Sequence, residues 1–443
     1  MKTLYYHASL ITGDVDRLFL PGGYLLVDGD RIAAVGVCGD EALPEADVRH
    51  DLAGRILMPG MISSHCHFYG QFVRGMPLSE PIYNWQQYLS RMWWRVDKAL
   101  DERQTYYSAL MGLVEGLKAG TTTYFDHQAS PNYITGSLDT IERAMRAVGG
   151  RGCLAYEVTD RDGAERAARG IAENERYIRA HQAEGDRFRG IFGLHASYSL
   201  SAETLERSSA VGNALNAGFH IHMAESEADV SDCYRRFDRH VVERLHEAGI
   251  LGEKTITAHN VHLKPRHFGI LRETGVTAAH NVQSNTNTAV GICPVVPLMD
   301  AGVHVALGGD GYTYDLFTEL GFASIQQHIG QNDCSVFSGK QILDMAFTNN
   351  QRLAKRIFGY EVGVLRPGAA ADFLILDYDP PTPLHAGNVL PHMTSGFSGH
   401  VDTVVCDGET VVEQHRCTRV DEKEIFAGCR AEAQRLWDSL AAQ

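Results

Sequence analysis

The sequence lacks several features that would assign it to large classes of proteins. No apolar run approaches the roughly 20 residues needed to span a bilayer, and residues 1–7 lack the apolar core of a secretory signal. Basic side chains are outnumbered, 40 against 55 acidic ones, which gives a net charge of −15. This balance argues against a partner with a phosphate backbone. We therefore expect neither a membrane nor a nucleic acid as a partner.

Cysteine pairs at metal-binding or redox spacing are also absent. The nine cysteines are an odd number, are scattered along the chain and never form a CxxC pair. This usage is typical of reduced thiols rather than of a disulfide framework or a zinc ribbon, so we expect a cytoplasmic protein. Hydrophobic residues make up 44% and charged residues 21% of the chain, an ordinary globular composition that excludes a fibrous or disordered protein.

Both ends of the chain show the pattern of short strands joined by tight turns. Residues 24–36 and 401–412 each contain two β-rich runs around an Asp-Gly pair. Because isolated hairpins are only marginally stable, we expect the two ends to form one small β-sandwich domain from residues 1–58 and 363–420. A C-terminal helix is predicted for residues 421–443.

The middle of the chain, residues 59–362, alternates between apolar runs and segments with helical period. Eight such apolar runs end at His67, His127, Val158, Ser197, Ser226, Asn260, Asn281 and Asp310. Eight strands with intervening helices are the count of a TIM-type (β/α)₈ barrel, an α/β fold. An open, doubly wound sheet is the alternative. The clearest helix is predicted over residues 100–118, with a capping box that begins at Asp101. Two more helices are predicted over residues 164–182 and 232–248.

Several of the 21 histidines stand at the ends of these runs, where the strands of a barrel converge on one mouth. His65 and His67 are two residues apart and therefore point to the same side of the first strand. His222 ends the fifth strand, and Asp310 follows the eighth. Three imidazoles and a carboxylate suit one divalent metal ion, Zn²⁺ or Fe²⁺, of which zinc is the expected one.

Other histidines and cysteines near these positions have structural interpretations. His220 shares the face of His222 but lies deeper in its strand, so we interpret it as a hydrogen-bonded core histidine. Cys66 points away from His65 and His67 and is predicted to pack in the core. The histidines assigned to helix surfaces, and to no function, are His181, His240, His246 and His328.

These motifs resemble the amidohydrolase superfamily, and within it the branch of deaminases and chlorohydrolases. The resemblance covers nearly the whole chain and includes residues 57–62 before the His-Cys-His motif and residues 363–372 near the end. Residues 93–100 and 125–131 are similar to the aminohydrolases called SsnA, a subgroup that is poorly defined in substrate. The resemblance implies a metal-dependent hydrolase that acts on C–N bonds other than peptide bonds.

The resemblance also bears on the number of metal ions. Binuclear members of the superfamily carry a carboxylated lysine at the end of strand four, where this chain has Gly-Leu-His-Ala-Ser, so one ion is expected. The Gly-Thr-Asp-Gly pattern usual in the family is Gly-Gly-Asp-Gly at residues 308–311. This change removes a threonine hydroxyl and keeps the metal ligand.

Three residues are predicted to be catalytic. Asp310 can bind the metal and accept a proton from water, and His259, at the end of strand six, can orient the resulting hydroxide. Glu225, three residues after His222, can move a proton to a ring nitrogen of the substrate and later to the leaving group. The alternative role of Glu225 is to orient His222.

The substrate is expected to be a small heterocyclic molecule. Residues 68–94 are rich in aromatic side chains, which suit a flat ring, but Trp93 and Trp94 cannot both face one side of a helix. Purine-directed relatives place glutamine where this chain has Gly70, so a purine is compatible with the sequence but not required by it. The predicted substrate contacts, several of which have structural alternatives, are His195, His280, Gln71, Trp93, His127 and Tyr312.

The expected reaction is hydrolytic deamination of an amino-substituted N-heterocycle of the purine, pterin, pyrimidine or triazine type, with release of ammonia. Hydrolysis of a cyclic amide or another ring C–N bond, or dechlorination, is the alternative, because the same hydroxide attacks and only the leaving group differs. A barrel that had become a non-catalytic scaffold would have damaged ligands, and all of them are present here. The resemblance implies a homo-oligomer, a dimer or a larger assembly.

Overall fold

The computed structural model describes residues 1–39, 42–183 and 185–442. Its strands are β1 Lys2–Ile11, β2 Phe19–Asp28, β3 Arg31–Val37, β4 Val48–Asp51, β5 Ile56–Pro59, β6 Met61–Cys66, β7 Thr121–Gln128, β8 Arg151–Tyr156, β9 Phe188–Gly190, β10 Phe192–Ala196, β11 Phe219–Met223, β12 Ile256–His259, β13 Thr277–His280, β14 His304–Leu307, β15 Phe373–Leu376, β16 Val401–Cys406, β17 Glu409–Glu413 and β18 Arg416–Cys417. Its α-helices are α1 Trp85–Tyr88, α2 Trp94–Ala99, α3 Glu102–Lys118, α4 Ser137–Val148, α5 Ala164–Ala180, α6 Ala202–Ala214, α7 Glu227–Phe237, α8 Val241–Glu247, α9 Pro265–Thr274, α10 Val282–Asn287, α11 Val295–Asp300, α12 Leu316–Gln331, α13 Gly339–Leu343, α14 Asn349–Phe358, α15 Val389–Gly396 and α16 Glu422–Ala441. None of the described helices is long and apolar enough to cross a membrane.

Strands from both ends of the chain form one nine-stranded sheet in the order β18-β17-β16-β15-β5-β1-β2-β3, with β4 paired to β1. The antiparallel pair β5–β15, with Met58 opposite Leu374, joins the two ends. The two predicted hairpins are confirmed as β2–β3 and β16–β17, whose turns contain Gly29 and Gly408 with φ of 61° and 75°. The predicted bounds of the domains stay a prediction.

The remaining strands form a closed parallel barrel. Its two sheets run β6-β7-β8-β9 and β10-β11-β12-β13-β14, and β9 and β10 are two parts of the fourth barrel strand. Parallel bridges Val158–Leu194 and Cys66–Asp310 join the sheets at both seams. The predicted (β/α)₈ fold is therefore confirmed, and the open doubly wound sheet is excluded because such a sheet has two free edges.

A cluster of buried apolar residues lies deeper in the barrel than the polar residues of its mouth. A buried cluster that includes Ile62, Phe125, Cys153, Ile256 and Ala279 fills the barrel below the carboxyl ends of the strands. The polar residues that end the strands lie above this cluster. This layering places the chemical groups of eight separate strands around one opening.

Two of the three predicted helices form as expected. In α3 the side chain of Asp101 accepts from the backbone of Gln104, and the side chain of Gln104 accepts from the backbone of Asp101. The predicted helix over residues 232–248 is wrong, because the chain forms α7 and α8 instead. Asp238 adopts a left-handed conformation with φ of 54° and ends α7. The ring of His240 caps α8 and is fully buried, so its assignment to the surface is also wrong.

A buried arginine connects the base of the barrel to the nine-stranded sheet. Arg151, the first residue of β8, is fully buried and donates from Nε to Asp372 Oδ2 at 3.0 Å. It also donates to Asp407 and to the hydroxyl of Tyr360. Arg151 therefore neutralises two carboxylates that belong to the sheet.

We expect Arg151→Ala to lower the free energy of unfolding by about 3–5 kcal/mol, because it leaves the buried Asp372 without its cationic partner and removes one of the two arginines beside the partly buried Asp407. Arg179→Ala, at a pair whose arginine is 60% exposed, should cost no more than about 1 kcal/mol. Urea-induced unfolding, followed by circular dichroism, measures both. Equal midpoints for the two variants would show that the buried network does not stabilise the fold.

Candidate active site

Four predicted ligands converge at the mouth of the barrel. His67 Nε2 lies 3.1 Å from His222 Nε2 and 3.0 Å from Asp310 Oδ1. His65 Nε2 lies 3.3 Å from Asp310 Oδ1 and has no hydrogen-bond partner among the described residues. The strand order explains this convergence, because β6, β11 and the segment after β14 all end at the same rim.

The hydrogen bonds of two imidazoles indicate that a cation belongs between them. His67 Nδ1 donates to the carbonyl oxygen of His127 at 2.6 Å, and His222 Nδ1 donates to that of His195 at 2.8 Å. Since a carbonyl only accepts, each Nδ1 carries the hydrogen, and each Nε2 presents a lone pair when its ring is neutral. Two lone pairs at 3.1 Å repel each other unless positive charge lies between them. Together with His65 and Asp310, they offer the nitrogen and carboxylate ligands that suit a divalent ion.

The pKa values of the ligands agree with positive charge between these rings. Asp310 raises the pKa of His67 to about 9 against the effect of burial, so a proton on His67 supplies that charge when no metal ion is bound. Burial lowers the pKa of His65 to about 3 and lowers the pKa of His222 well below its usual value, so both rings are neutral, as metal ligands must be. Burial alone would raise the pKa of Asp310, but the imidazoles of His65 and His67 hold it well below its usual range. Asp310 is therefore an ionised ligand.

Two histidines lie beneath the ligands and support them. His220 Nε2 and His65 Nδ1 share a hydrogen bond of 2.8 Å, in the core position that the sequence indicates for His220. The ring of His127 stacks on that of His220, with centroids 4.3 Å apart. Cys66 Sγ points the other way, to the carbonyl oxygen of Phe125 at 3.6 Å. These contacts fix the orientation of the ligating rings.

The predicted catalytic residues lie beside the metal ligands. His259 Nε2 is 4.0 Å from Glu225 Oε2 and 4.0 Å from Asp310 Oδ2, between the two carboxylates. Its Nδ1 pairs with Asn285 Oδ1 at 2.8 Å, which holds the ring in place. Burial raises the pKa of Glu225, which favours a carboxyl group that holds a proton near neutral pH.

The backbone at this rim is strained where the functional residues sit. Asp310, His259 and Ala224, the residue before Glu225, have φ of 55°, 74° and 50°. Non-glycine residues rarely adopt this left-handed region, and such conformations cluster at active sites. The turns that end three strands therefore aim these side chains at one point.

A cavity of about 400 Å³ opens above the metal ligands. It is lined by four of the predicted substrate contacts, His195, Gln71, Trp93 and Tyr312, and by His67, His222, Glu225, His259 and Asp310. Neither His127 nor His280 lines it, because both rings are fully buried below the mouth. This position argues against the substrate contacts predicted for these two histidines.

The aromatic wall differs from its prediction in one respect. Trp93 and Trp94 both line the cavity, whereas the helical spacing indicated that at most one of them could. Residues 89–93 form a π-helical turn that meets α2 at this point, so regular α-helical spacing does not apply. The ring of Trp93 also packs so close to the backbone at residue 70 that only glycine fits there. A Cβ at Gly70 would lie 2.2 Å from that ring.

Gly309 is required by the turn that presents Asp310. A Cβ at this position would lie 1.9 Å from the carbonyl oxygen of Thr313. The threonine usual in the family has no room here, which accounts for the Gly-Gly-Asp-Gly motif.

We expect Gly309→Ala to weaken metal binding about tenfold or more, because the side chain displaces the turn that holds Asp310. Competition with a chromophoric chelator measures the affinity. Gly269→Ala, in α9, is the control, because a Cβ there meets nothing within 4 Å. An unchanged affinity in Gly309→Ala would show that the turn adapts without moving the ligand.

Sequence reasoning missed Glu157 and Asp97, two buried carboxylates on the cavity wall. Glu157 directly follows β8 at a strand end, the position that identified the other site residues. The sequence feature that could have identified Glu157 is a charged residue inside the apolar run that ends at Val158. Burial raises the pKa of Glu157 to about 8.

A closed barrel with a metal site at the carboxyl ends of its strands defines this chain as a metal-dependent barrel enzyme. Residues 56–411 match the model of the amidohydrolase family. The chain is 31% identical to the 5′-deoxyadenosine deaminase of Methanothermobacter thermautotrophicus, over 96% of this chain and 98% of that protein. It is 30% identical to the 5-methylthioadenosine/S-adenosylhomocysteine deaminase of Desulfitobacterium hafniense, over 94% of each chain.

Solved structures share the fold. An adenosine deaminase from Xanthomonas campestris with bound zinc superposes with a TM-score of 0.88 at 22% identity, over 98% of each chain. Atrazine chlorohydrolase from Arthrobacter aurescens TC1, complexed with zinc, superposes with a TM-score of 0.83 at 22% identity, over 97% of this chain and 100% of that one.

The chain belongs to the amidohydrolase family. It is a hydrolase that acts on C–N bonds, and its site is built for a divalent metal ion. The predicted family and reaction class are therefore confirmed.

Proposed function

We propose that this enzyme deaminates 6-aminopurine nucleosides that carry a modified 5′ position, and that its resident ion is zinc. The observation that carries the proposal is the grouping of Glu225, His259 and Asp310 around the metal ligands at the base of one cavity. The names of the curated relatives support this substrate class, and the zinc in related structures supports the ion.

In the proposed reaction each of these side chains has its own step. A divalent ion bound by the three histidines and Asp310 supplies Lewis acidity and lowers the pKa of water to about 7. Asp310 accepts a proton from the attacking water at Oδ2, because its other oxygen, Oδ1, faces His65 and His67. His259 Nε2, between the two carboxylates, holds that water against the carbon that bears the amine.

Glu225 completes the reaction by moving protons on the substrate side. It protonates the ring nitrogen next to the reacting carbon, which makes that carbon more electrophilic. Glu225 then takes the proton of the newly added hydroxyl group and carries it to the amine, which leaves as ammonia while the C–O bond becomes a carbonyl. The proton held by Asp310 returns to Glu225 through solvent and restores the starting state of both carboxyl groups. The reaction consumes one water and leaves an oxo-purine.

Mass spectrometry of a panel of heterocycles, incubated with the zinc-loaded enzyme, tests this function. The panel contains 5′-deoxyadenosine, 5-methylthioadenosine, S-adenosylhomocysteine, adenine, a pterin, a pyrimidine and a chlorinated triazine. Exchange of the purine amine for oxygen, with release of ammonia, is the expected result. Addition of a whole water, or loss of chloride, would replace deamination with ring hydrolysis or dechlorination. Deamination of the pterin or pyrimidine alone would overturn the nucleoside proposal.

A further inference from the structure

A carboxylate on the cavity wall has no role in the mechanism above. Glu157 follows β8, and its backbone N–H still donates to Gln128 of the neighbouring strand at 2.8 Å. Its side chain is only 2% exposed. Glu157 follows the third barrel strand, so its neighbour in the barrel is His195 on the fourth strand. His222 and Glu225 belong to the fifth strand and the loop after it. Glu157 and Glu225 therefore face the cavity from different sides of the metal ligands.

The protein gives this carboxylate no hydrogen-bond donor of its own. Oε1 of Glu157 is buried and has no hydrogen-bond partner among the described residues. His67 Nδ1 lies 3.4 Å away but directs its hydrogen to the carbonyl of His127. The ring of His127 itself places Nδ1 3.6 Å from Oε1, which is longer than a hydrogen bond. The positive charge of Arg161 lowers the pKa of Glu157, but its guanidinium donates its hydrogen bond to Asp97 at 2.7 Å. A buried carboxyl oxygen that accepts no hydrogen bond is costly, so a ligand that supplies a donor would bind well here.

The neighbouring histidine is a second acceptor. The hydroxyl of Ser199 donates to the carbonyl of Ala196 at 3.1 Å, so it accepts from His195 Nδ1 at 2.7 Å. The neutral ring of His195 therefore has only a lone pair at Nε2. This Nε2 lies 3.8 Å from Glu157 Oε2. Two acceptors stand side by side on the wall of the cavity, and neither can satisfy the other.

We propose that Glu157, together with His195, is a specificity-determining site that binds a pair of hydrogen-bond donors on the substrate. The class of ligand is a flat molecule with two adjacent donors, which are either the vicinal hydroxyls of a sugar or an amino group beside a ring N–H. Groups that present only acceptors, or a negative charge, are rejected at this wall. The sugar case rests on the proposed nucleoside function, whereas the acceptor pair does not.

Benzamidine and benzamide test the site without reference to the natural substrate. The two probes have nearly the same shape, but the amidinium offers two parallel N–H donors where the amide offers one donor and one acceptor. Isothermal titration calorimetry on the zinc-loaded enzyme should show about tenfold tighter binding of benzamidine. Glu157→Gln should remove most of that preference, and Glu157→Asp should keep part of it. Glu206→Gln, the same change on the exposed surface of α6, should leave the preference intact.

Thermal melting separates this role from a structural one. Glu157→Gln keeps the shape of a buried side chain that has no hydrogen-bond partner among the described residues, so the zinc-loaded variant should melt at or above the wild-type temperature. A fall in melting temperature, or a wild-type preference for benzamidine in Glu157→Gln, would overturn the proposal.

Deamination kinetics then identify the source of the donors. The kcat/KM values of wild type and Glu157→Gln are compared for two pairs of substrates. The first pair is 5′-deoxyadenosine and the analogue that also lacks the 2′ and 3′ hydroxyls. The second pair is diaminopurine and adenine. A loss of discrimination in the first pair assigns Glu157 to sugar hydroxyls, and a loss in the second assigns it to the ring edge. If wild type deaminates none of these compounds, the proposed function fails while the benzamidine result still decides the site.

Discussion

Replacing Glu225 by glutamine is expected to lower kcat at least a thousandfold, roughly the range of general acid–base catalysis, while the metal stays bound. Glutamine has nearly the same shape and keeps the contacts of the side chain, but it cannot carry a proton to the ring nitrogen and on to the leaving amine. Burial raises the pKa of Glu225, and this poises the carboxyl group to hold that proton near neutral pH. Steady-state kinetics and metal analysis of the purified protein measure the two quantities separately.

Glu227→Gln is the matched control, because this glutamate lies two residues away and is exposed at the start of α7. It should leave both kcat and metal content unchanged. A Glu225→Gln enzyme with a kcat close to that of wild type would refute the proton-transfer role. Loss of the metal in that variant would instead support the alternative, in which Glu225 orients His222.

Much of the fold follows from local signals in the sequence. The capping box at Asp101 and the Asp-Gly hairpins depend on short-range chemistry, so their positions could be predicted. The break between α7 and α8 could not be predicted. Asp238 ends α7 in a left-handed conformation, and the residue found at such a position is usually glycine. The ring of His240 then caps the next helix, a use of histidine that its hydropathy does not indicate.

The candidate site divides in the same way. His65, His67, His222 and Asp310 lie at the carboxyl ends of the first, fifth and eighth barrel strands, so barrel topology alone brings them together. Whether a polar side chain reaches the cavity depends on how deep it lies in the barrel, and the sequence does not give this depth. His280 ends a strand yet lies below the mouth, while Glu157 was hidden within an apolar run and lines the wall.

Replacing His222 by alanine is expected to abolish activity by removing the metal. The Nε2 atoms of His67 and His222 face each other at 3.1 Å, so the loss of one ring removes a ligand and opens the site to water. Metal affinity should fall by more than the roughly 10–100-fold caused by losing a group that only orients a ligand. His65→Ala should behave alike.

Zinc titration followed by thermal melting measures this effect directly. Wild-type protein should melt at a higher temperature as zinc is added, because an ion that binds only the folded state stabilises it by mass action. His222→Ala should lose that rise over the same range of zinc concentration. His246→Ala, at an exposed histidine of α8, should keep it and so show that the rise does not come from zinc on surface imidazoles. If His222→Ala kept the wild-type rise, the ion would be held elsewhere, and the roles assigned to Asp310, His259 and Glu225 around this site would fall with it.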